Sequence, residues 1–336
     1  MKCYLVTGGA GFIGSNFIHY LRQKYGDTIR IINLDALTYC GNRQNVSKYE
    51  ISDNYVFLQG NICDEELVKK IFREYDIDYV VHFAAQTHVD RSIASSKEFA
   101  ETNVLGTLNL LNAAKDLWHT NDKRFLYIST DEVYGELPSQ GYFTEASPLQ
   151  PRNPYAVSKA AGDMMSLAYY TTHGLPVLVT RCSNNFGPYQ YEEKFIPLCI
   201  KSCLIGNSIP IYGDGLNIRD WLYVEDHCKA IDKVLQEGTI GEVYNVGGHN
   251  EHTNIEIANL ILDIMKNDYD IAASSIQFVE DRKGHDKRYA IDPTKISSEL
   301  GWNKEIDFKN GIRQTIRWYL EHKDFLNLST PINIIY

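Results

Sequence analysis

Apolar residues in this chain fall into short blocks separated by stretches with helical spacing. Cys3 to Val6 is an apolar run that ends at Thr7-Gly8-Gly9-Ala10-Gly11-Phe12-Ile13-Gly14, and Phe17 to Leu21 then repeats with the period of a helix. That reads as strand, glycine turn, helix. Further apolar runs at Ile29 to Leu34, Tyr55 to Leu58, Tyr79 to Ala85, Phe125 to Ser129 and Val177 to Arg181 alternate with helical stretches at Glu65 to Tyr75, Glu98 to Leu117 and Tyr155 to His173. The alternation predicts an α/β chain of the Rossmann type, a doubly wound parallel sheet with helices on both faces.

After Arg181 the rhythm breaks into Asn-, Gly-, Pro- and Tyr-rich sequence, with Phe186-Gly187-Pro188-Tyr189 and Ile209-Pro210-Ile211-Tyr212-Gly213 as turn-bounded pieces. Regular pattern returns near Trp221 to Val246, then at Thr253 to Lys266 and Asn310 to His322. The expected division is a dinucleotide-binding domain over 1–182 plus about 218–247, and a smaller C-terminal α/β substrate lobe over about 183–217 plus 248–336. No repeat, low-complexity tract or long linker interrupts it.

Composition narrows the class. The 336 residues suit one large domain or two modest ones, and a formal net charge of -10 supplies no basic stripe for nucleic acid. The apolar run after Met1-Lys2 is too short for a signal-peptide core or a spanning helix, which sets the expectation of a cytoplasmic protein with no membrane partner. Seven cysteines, without paired ligand spacing, read as small core residues in a reducing compartment and set the expectation of no metal.

Glycines 8, 9, 11 and 14 satisfy the dinucleotide fingerprint, with Phe12 and Ile13 inside it and Asp35 about twenty residues on. The glycines let the backbone turn tightly and approach a diphosphate, while Asp35 suits a ribose diol and repels a 2'-phosphate, so NAD is expected. Asn61-Ile62 and Ala84-Ala85 follow strands at the same crevice, where adenine and cofactor contacts are expected; turn or packing roles fit the same pattern.

Two segments carry the chemistry. Ser129-Thr130-Asp131-Glu132 ends a strand, and Tyr155 and Lys159 share a helix face four residues apart. An ammonium beside the phenol is expected to lower its pKa and make Tyr155 a base toward a sugar hydroxyl. Hydride transfer to a nicotinamide needs one acid/base group; the adjacent carboxylates Asp131 and Glu132 point to a second proton transfer such as elimination of water.

On these motifs the chain resembles the extended short-chain dehydrogenase/reductase superfamily, and within it is similar to the dTDP-glucose 4,6-dehydratase family. The resemblance runs nearly end to end, through TGGAGFIGS from Thr7, LDALTYCGN from Leu34, AAQTHVDRSI from Ala84, STDEVYG from Ser129, NPYAVSKA from Asn153, RCSNNFGPYQ from Arg181, IRDWLYVEDHC from Ile218 and GHDKRYAID from Gly284. It implies that Tyr155, supported by Lys159, deprotonates the glucose C4 hydroxyl while hydride passes to NAD. Glu132 then takes the C5 proton, Asp131 protonates the departing C6 hydroxyl, Thr130 bonds the C4 oxygen, and hydride returns to C6.

The same resemblance implies a nucleotide-sugar substrate clamped by Asn185 and Arg219, with Arg282, His285 and His88 as further candidates. Lys194, Pro210 and Tyr212 match positions near the base and Asn254 a phosphate-side contact. It also implies a homodimer built from the helices around 100–115 and 155–172. Leu105, Leu108, Leu111, Ala156, Ala160, Met164 and Leu167 suit either that interface or the protein's own core. Asn61 departs from the aspartate frequent in relatives, and Tyr191-Glu192-Glu193-Lys194 lacks their proline before Glu-Lys, which bears on thymine against uracil. The alternatives are a UDP-glucose 4,6-dehydratase, a nucleotide-sugar 4-epimerase of the same fold, or a non-catalytic NAD sensor; the Asp-Glu pair opposes the epimerase and Tyr155/Lys159 the sensor.

Overall fold

The computed structural model describes residues 1–120, 122–271, 275–281 and 284–329. Chain order gives the strands Lys2–Thr7 (β1), Ile29–Asp35 (β2), Tyr55–Gln59 (β3), Tyr79–His82 (β4), Arg124–Thr130 (β5), Val177–Cys182 (β6), Asn184–Phe186 (β7), Ile209–Tyr212 (β8), Ile218–Tyr223 (β9), Val243–Val246 (β10), Glu251–Thr253 (β11) and Ile276–Val279 (β12). Seven of them form one sheet in the order β10-β6-β5-β4-β1-β2-β3, every pairing parallel. This is the doubly wound sheet the alternation predicts.

A parallel sheet covered on both sides must bury both faces of each strand. β1 does so residue by residue. Tyr4 and Val6 join Phe17, Ile18 and Leu21 of the first helix and Ile231 and Val234 of helix Val224–Glu237. Cys3 and Leu5 pack on the other face against Val68 and Ile71 of helix Glu65–Glu74 and Leu110 and Ala114 of helix Thr107–Leu117.

The smaller lobe has its own core, in which Phe186, Ile200, Trp221, Ile257 and Ile312 meet. Its sheets are β11-β9-β7 and β12-β8. Here the structure corrects the expected division at one point. β9 lies inside the range assigned to the dinucleotide domain, yet pairs with β7 and β11 of the smaller lobe; the helix and β10 that follow it return to the large sheet.

Two further differences have local causes. The stretch Glu98 to Leu117 is broken by a π-helical turn over Glu101–Gly106, where the side chain of Asn103 faces Gln86 and Ser158 instead of solvent. Helix Phe195–Leu204 escapes pattern reading because it is apolar but for Lys201 and Ser202, both buried, and contains Pro197; that proline stands in the first turn, where its missing N–H is not needed. Among the described residues no helix is long and apolar enough to cross a membrane, and no cluster of three or more His, Cys, Asp or Glu could hold a metal ion.

Candidate active site

The strand order reverses direction beside β1 and β4, whose C-terminal ends stand in register at Thr7 and His82. A crevice opens there. The chain leaving β1 turns at Gly8, with φ of +72°, and a Cβ at that residue would lie 2.6 Å from the Ala84 backbone nitrogen. A Cβ on Gly14 would lie 2.3 Å from the Gly8 carbonyl oxygen. The helix Phe12–Tyr25 begins at Gly11 with no side-chain cap, so its N-terminus presents bare backbone to the crevice. Bare backbone at a positive helix end is what a diphosphate requires.

Asp35 closes the β2 end of this cradle. Its Oδ2 accepts from the Ala10 N–H at 2.9 Å and its Oδ1 from the Leu37 N–H at 2.8 Å. Burial pushes its pKa up and those two N–H groups oppose the shift. Asp35 therefore shapes the glycine turn while lining the crevice. The cavity, about 340 Å³, is lined by Gly8, Gly11, Phe12, Ile13, Gly14, Asp35, Asn61, Ile62, Ala84 and Ala85, which the sequence assigned to the cofactor. Asn61 Oδ1 already accepts from the Cys63 N–H at 2.9 Å, leaving one lone pair for an adenine amine.

Thr130, Asp131, Glu132, Tyr155 and Lys159 line the same cavity. β5 delivers Thr130 at its buried end, and the chain then coils into a short 3₁₀ turn, Asp131–Tyr134. Tyr155 and Lys159 arrive on helix Pro154–His173. Asn153 caps that helix through Oδ1, bonded to the Ala156 N–H at 2.8 Å, and Pro154 takes the first position, where no N–H is required. The Nδ2 of Asn153 donates to Glu132 Oε2 at 3.2 Å. One asparagine thus orders the phenol's helix and the Glu132 carboxylate together.

The electrostatics separate the two carboxyls. Asp131 is 2 % exposed, and its Oδ2 has no hydrogen-bond partner among the described residues. Burial, then the Glu132 and Asp220 carboxylates, push its pKa well above the ordinary range, against Arg219 and the Thr130 hydroxyl, and so favour its protonated form. Lys159 is also buried; desolvation lowers its amine to about 8, while Cys182 and Asp163 act in the opposite direction.

The expectation that Lys159 lowers the Tyr155 phenol is corrected. Burial first, and the Glu132 carboxylate second, push that phenol well above its ordinary value, although the Thr130 hydroxyl beside it works the other way. The ammonium is directed elsewhere, donating to the Ile128 carbonyl at 2.6 Å and facing the Tyr127 ring 4.3 Å from its centroid.

A second cavity of about 490 Å³ continues the first, sharing Glu132, Asn185, Gln190 and Lys194 with it. His88, Asn185, Lys194, Pro210, Tyr212, Arg219, Asn254 and His285 all line it. Arg219 is buried, with Nη1 donating to the Ile218 carbonyl at 2.8 Å and Nη2 to the Asp286 carbonyl at 2.8 Å, and its guanidinium lies 4.3 Å from the Tyr289 ring centroid. Asn185 Oδ1 is a buried acceptor without a partner among the described residues. His285 Nδ1 lies 2.7 Å from Asp281 Oδ1. Arg282 lies outside the described residues.

Cys182, Gln190, Asp286 and Tyr289 line these cavities and were not singled out from sequence. Cys182 had a usable signal, because it follows Arg181 at the end of an apolar run and pairs with Thr130 across the sheet. Asp286 and Tyr289 sit in the GHDKRYAID segment without any spacing that marks them.

Comparison with known proteins agrees with this geometry. The sequence model of the family described as GDP-mannose 4,6 dehydratase matches residues 5–315. The dTDP-glucose 4,6-dehydratase of Xanthomonas campestris pv. campestris (strain B100) is 47% identical over 337 residues, covering 97% of this chain and 95% of the relative. Among solved structures, the dTDP-glucose 4,6-dehydratase of Bacillus anthracis in complex with NAD is 48% identical with a TM-score of 0.87, covering 97% of this chain and 98% of that one. The dTDP-glucose 4,6-dehydratase of Streptomyces venezuelae with NAD bound gives 45% and 0.90, covering 97% and 99%.

Proposed function

This chain belongs to the dTDP-glucose 4,6-dehydratase family, and from that premise we infer that it is an NAD-dependent hydro-lyase converting dTDP-glucose to dTDP-4-keto-6-deoxyglucose and water. The observation that carries the residue assignments is the split between Asp131, 2 % exposed with one carboxyl oxygen unpartnered and its pKa raised, and Glu132, bordering both cavities. Elimination of water from a 4-keto sugar needs one acid and one base on neighbouring atoms, and this pair supplies both from one turn.

NAD, held by the glycine turn and Asp35, would supply hydride acceptance and donation, and its oxidised ring would bring a positive charge. The protein does the rest. Tyr155 takes the C4 hydroxyl proton as its phenolate, a form that burial opposes in the chain alone and that the positive charge of a bound oxidised nicotinamide would favour, with Thr130 orienting the oxygen. The resulting ketone acidifies C5, whose proton passes to Glu132 while Asp131 protonates the leaving C6 hydroxyl. Gly8, Gly11 and Gly14 leave room for the cofactor diphosphate, Asp35 takes its ribose, and Lys159 orders the nicotinamide side. Asn185 and Arg219 hold the substrate diphosphate, and Lys194, Pro210 and Tyr212 surround the base.

We assign a cytoplasmic location, supported by seven free cysteines, and a homodimer. Leu105, Val157 and Met164 support the dimer: they are more than half exposed on the two helical segments expected to form it, whereas Leu111, Ala156 and Ala160 turn into the protein's own core.

The deciding experiment is mass spectrometry of dTDP-glucose, and separately UDP-glucose, after incubation with the purified protein, catalytic NAD and no reductant. Loss of one water from the dTDP sugar is expected. Loss from the UDP sugar alone reassigns the base, and unchanged mass with both overturns the reaction.

A further inference from the structure

Arg152 stands one residue before Asn153, whose side chain orders both Glu132 and the Tyr155 helix. Its own side chain turns the other way, across the cleft to the smaller lobe. Nη1 lies 2.8 Å from Asp286 Oδ1, as an ion pair without aligned hydrogen-bond geometry, and also donates to Glu136. Glu136 completes the lacing: its Oε1 accepts from the Lys287 N–H at 2.9 Å, and the next residue, Leu137, donates its N–H to the Arg288 carbonyl at 3.1 Å.

The far side of that loop holds Arg219. The Asp286 carbonyl accepts from Nη2 at 2.8 Å and the Lys287 carbonyl from Nη1 at 3.4 Å. Tyr289, whose ring lies under the guanidinium, donates its hydroxyl to Asp286. These contacts fix Arg219 from residues that Arg152 and Glu136 tie to the catalytic turn. An exposed ion pair contributes little to stability in water. This pair is not fully exposed: the Asp286 side chain is 1% exposed, so removing the guanidinium leaves a buried carboxylate with the Tyr289 hydroxyl on one oxygen and no cation on the other. The loop must shift to hydrate it.

We propose that Arg152 is a positioning residue, which clamps the 286–289 loop to the catalytic turn and so presents Arg219 to the substrate diphosphate. The role rests on the assignment of Arg219 to that diphosphate.

The test uses NAD-loaded enzyme and the variants Arg152→Ala, Arg219→Ala and the double variant. Thymidine diphosphate binding is read by calorimetry, and KM and kcat with dTDP-glucose. Arg152→Ala is expected to raise both the dissociation constant and KM about tenfold, with kcat within about twofold. The double variant is expected to bind no more weakly than Arg219→Ala, because Arg152 acts through Arg219. Wild-type affinity in Arg152→Ala, or multiplying effects in the double variant, overturns the proposal. Wild-type affinity in Arg219→Ala instead overturns the diphosphate assignment, and the proposal with it. Should Arg152→Ala fail to fold, Arg152→Lys keeps the charge without the fork: a KM rise of about two- to threefold supports the clamp and an unchanged KM overturns it.

Discussion

Asp131 and Glu132 are consecutive, yet they face different media: Asp131 is 2 % exposed with one carboxyl oxygen unpartnered, while Glu132 borders both cavities with Oε2 held 3.2 Å from Asn153 Nδ2. A strand running straight on would have sent successive side chains to opposite faces of the sheet. The 3₁₀ turn that follows Thr130 instead places both on the walls of one cavity. Like charges this close resist ionising together, and burial makes Asp131 the member whose protonated form is favoured.

Glu132→Gln is expected to separate the two halves of the reaction. Oxidation at C4 needs Tyr155 and survives, whereas proton removal at C5 loses its base and slows by about 10²- to 10⁴-fold. Mixing the NAD-loaded variant with dTDP-glucose should therefore build up the absorbance of reduced nicotinamide without loss of water in the mass spectrum. A variant that shows neither reduced nicotinamide nor product would place Glu132 in the first step.

Asp131→Asn is expected to lose dehydration by about 10²-fold and to gain stability at neutral pH. The folded pKa of Asp131 lies above its unfolded value. Between those two values the folded chain binds more proton than the unfolded one, so stability falls as pH rises through that window. Asparagine removes this penalty. The variant should melt about 1–3 °C above the parent near pH 8, with the difference closing as pH falls to about 4. A lower melting temperature at pH 8 would contradict the raised pKa of Asp131.

Lys159 gives a different pH signature. Its amine is lowered to about 8 by burial, so the ammonium is present below that value and lost above it. Activity should fall on the alkaline side with a limb near 8, and Lys159→Arg, charged throughout, should shift that limb upward. Stability should move the other way. Between about 8 and the ordinary value of 10.5 the unfolded chain holds more proton, so Lys159 makes a contribution to stability that rises with pH. A limb unmoved in Lys159→Arg would assign it to another group.

Most of the sheet was legible because each buried parallel strand is an apolar block and each covering helix has a periodic face, as at Cys3 to Val6 and Phe17 to Leu21. The glycine turn was legible for a related reason: Gly8 and Gly14 stand where any side chain would strike backbone. What sequence could not show was direction in space. β9 carries Arg219 and Asp220 ahead of its apolar half, so no pattern in it names its sheet, and its partners β7 and β11 are set by long-range pairing. The phenol shift was misjudged because i, i+4 spacing gives proximity but not aim, and Lys159 points at Ile128. Arg152, in a loop before a proline, carried no pattern at all.

Gly14→Ala should disable the cradle itself. The added carbon would sit 2.3 Å from the Gly8 carbonyl and crowd the Gly9 Cα, both backbone and unable to swing aside. The first helix must back away from β1, costing about 1–3 kcal/mol and moving its N-terminus off the diphosphate. The purified variant should lose bound NAD, measured by absorbance after denaturation, while keeping a folded circular dichroism spectrum. Full retention of NAD would mean that the glycine serves packing alone.

The last prediction concerns assembly. Val157 and Met164 are seven residues apart and so share one face of their helix, and Leu105 is exposed on the neighbouring segment where the π turn interrupts regular winding. Each is more than half exposed, while Ala156 and Ala160 on the same helix are sealed against the protein's own core. A helix that buries one face and leaves a second apolar stripe outward has a surface to cover, and a second copy of the same pair of helices supplies an apolar stripe of its own. Changing Leu105 and Met164 together to glutamate puts like charges across that contact and should convert a dimer to a monomer in sedimentation velocity. The Asp131–Glu132 turn and NAD cradle should remain intact. If the parent protein already sediments as a monomer, the outward stripe is not a dimer surface, and the resemblance has been carried too far.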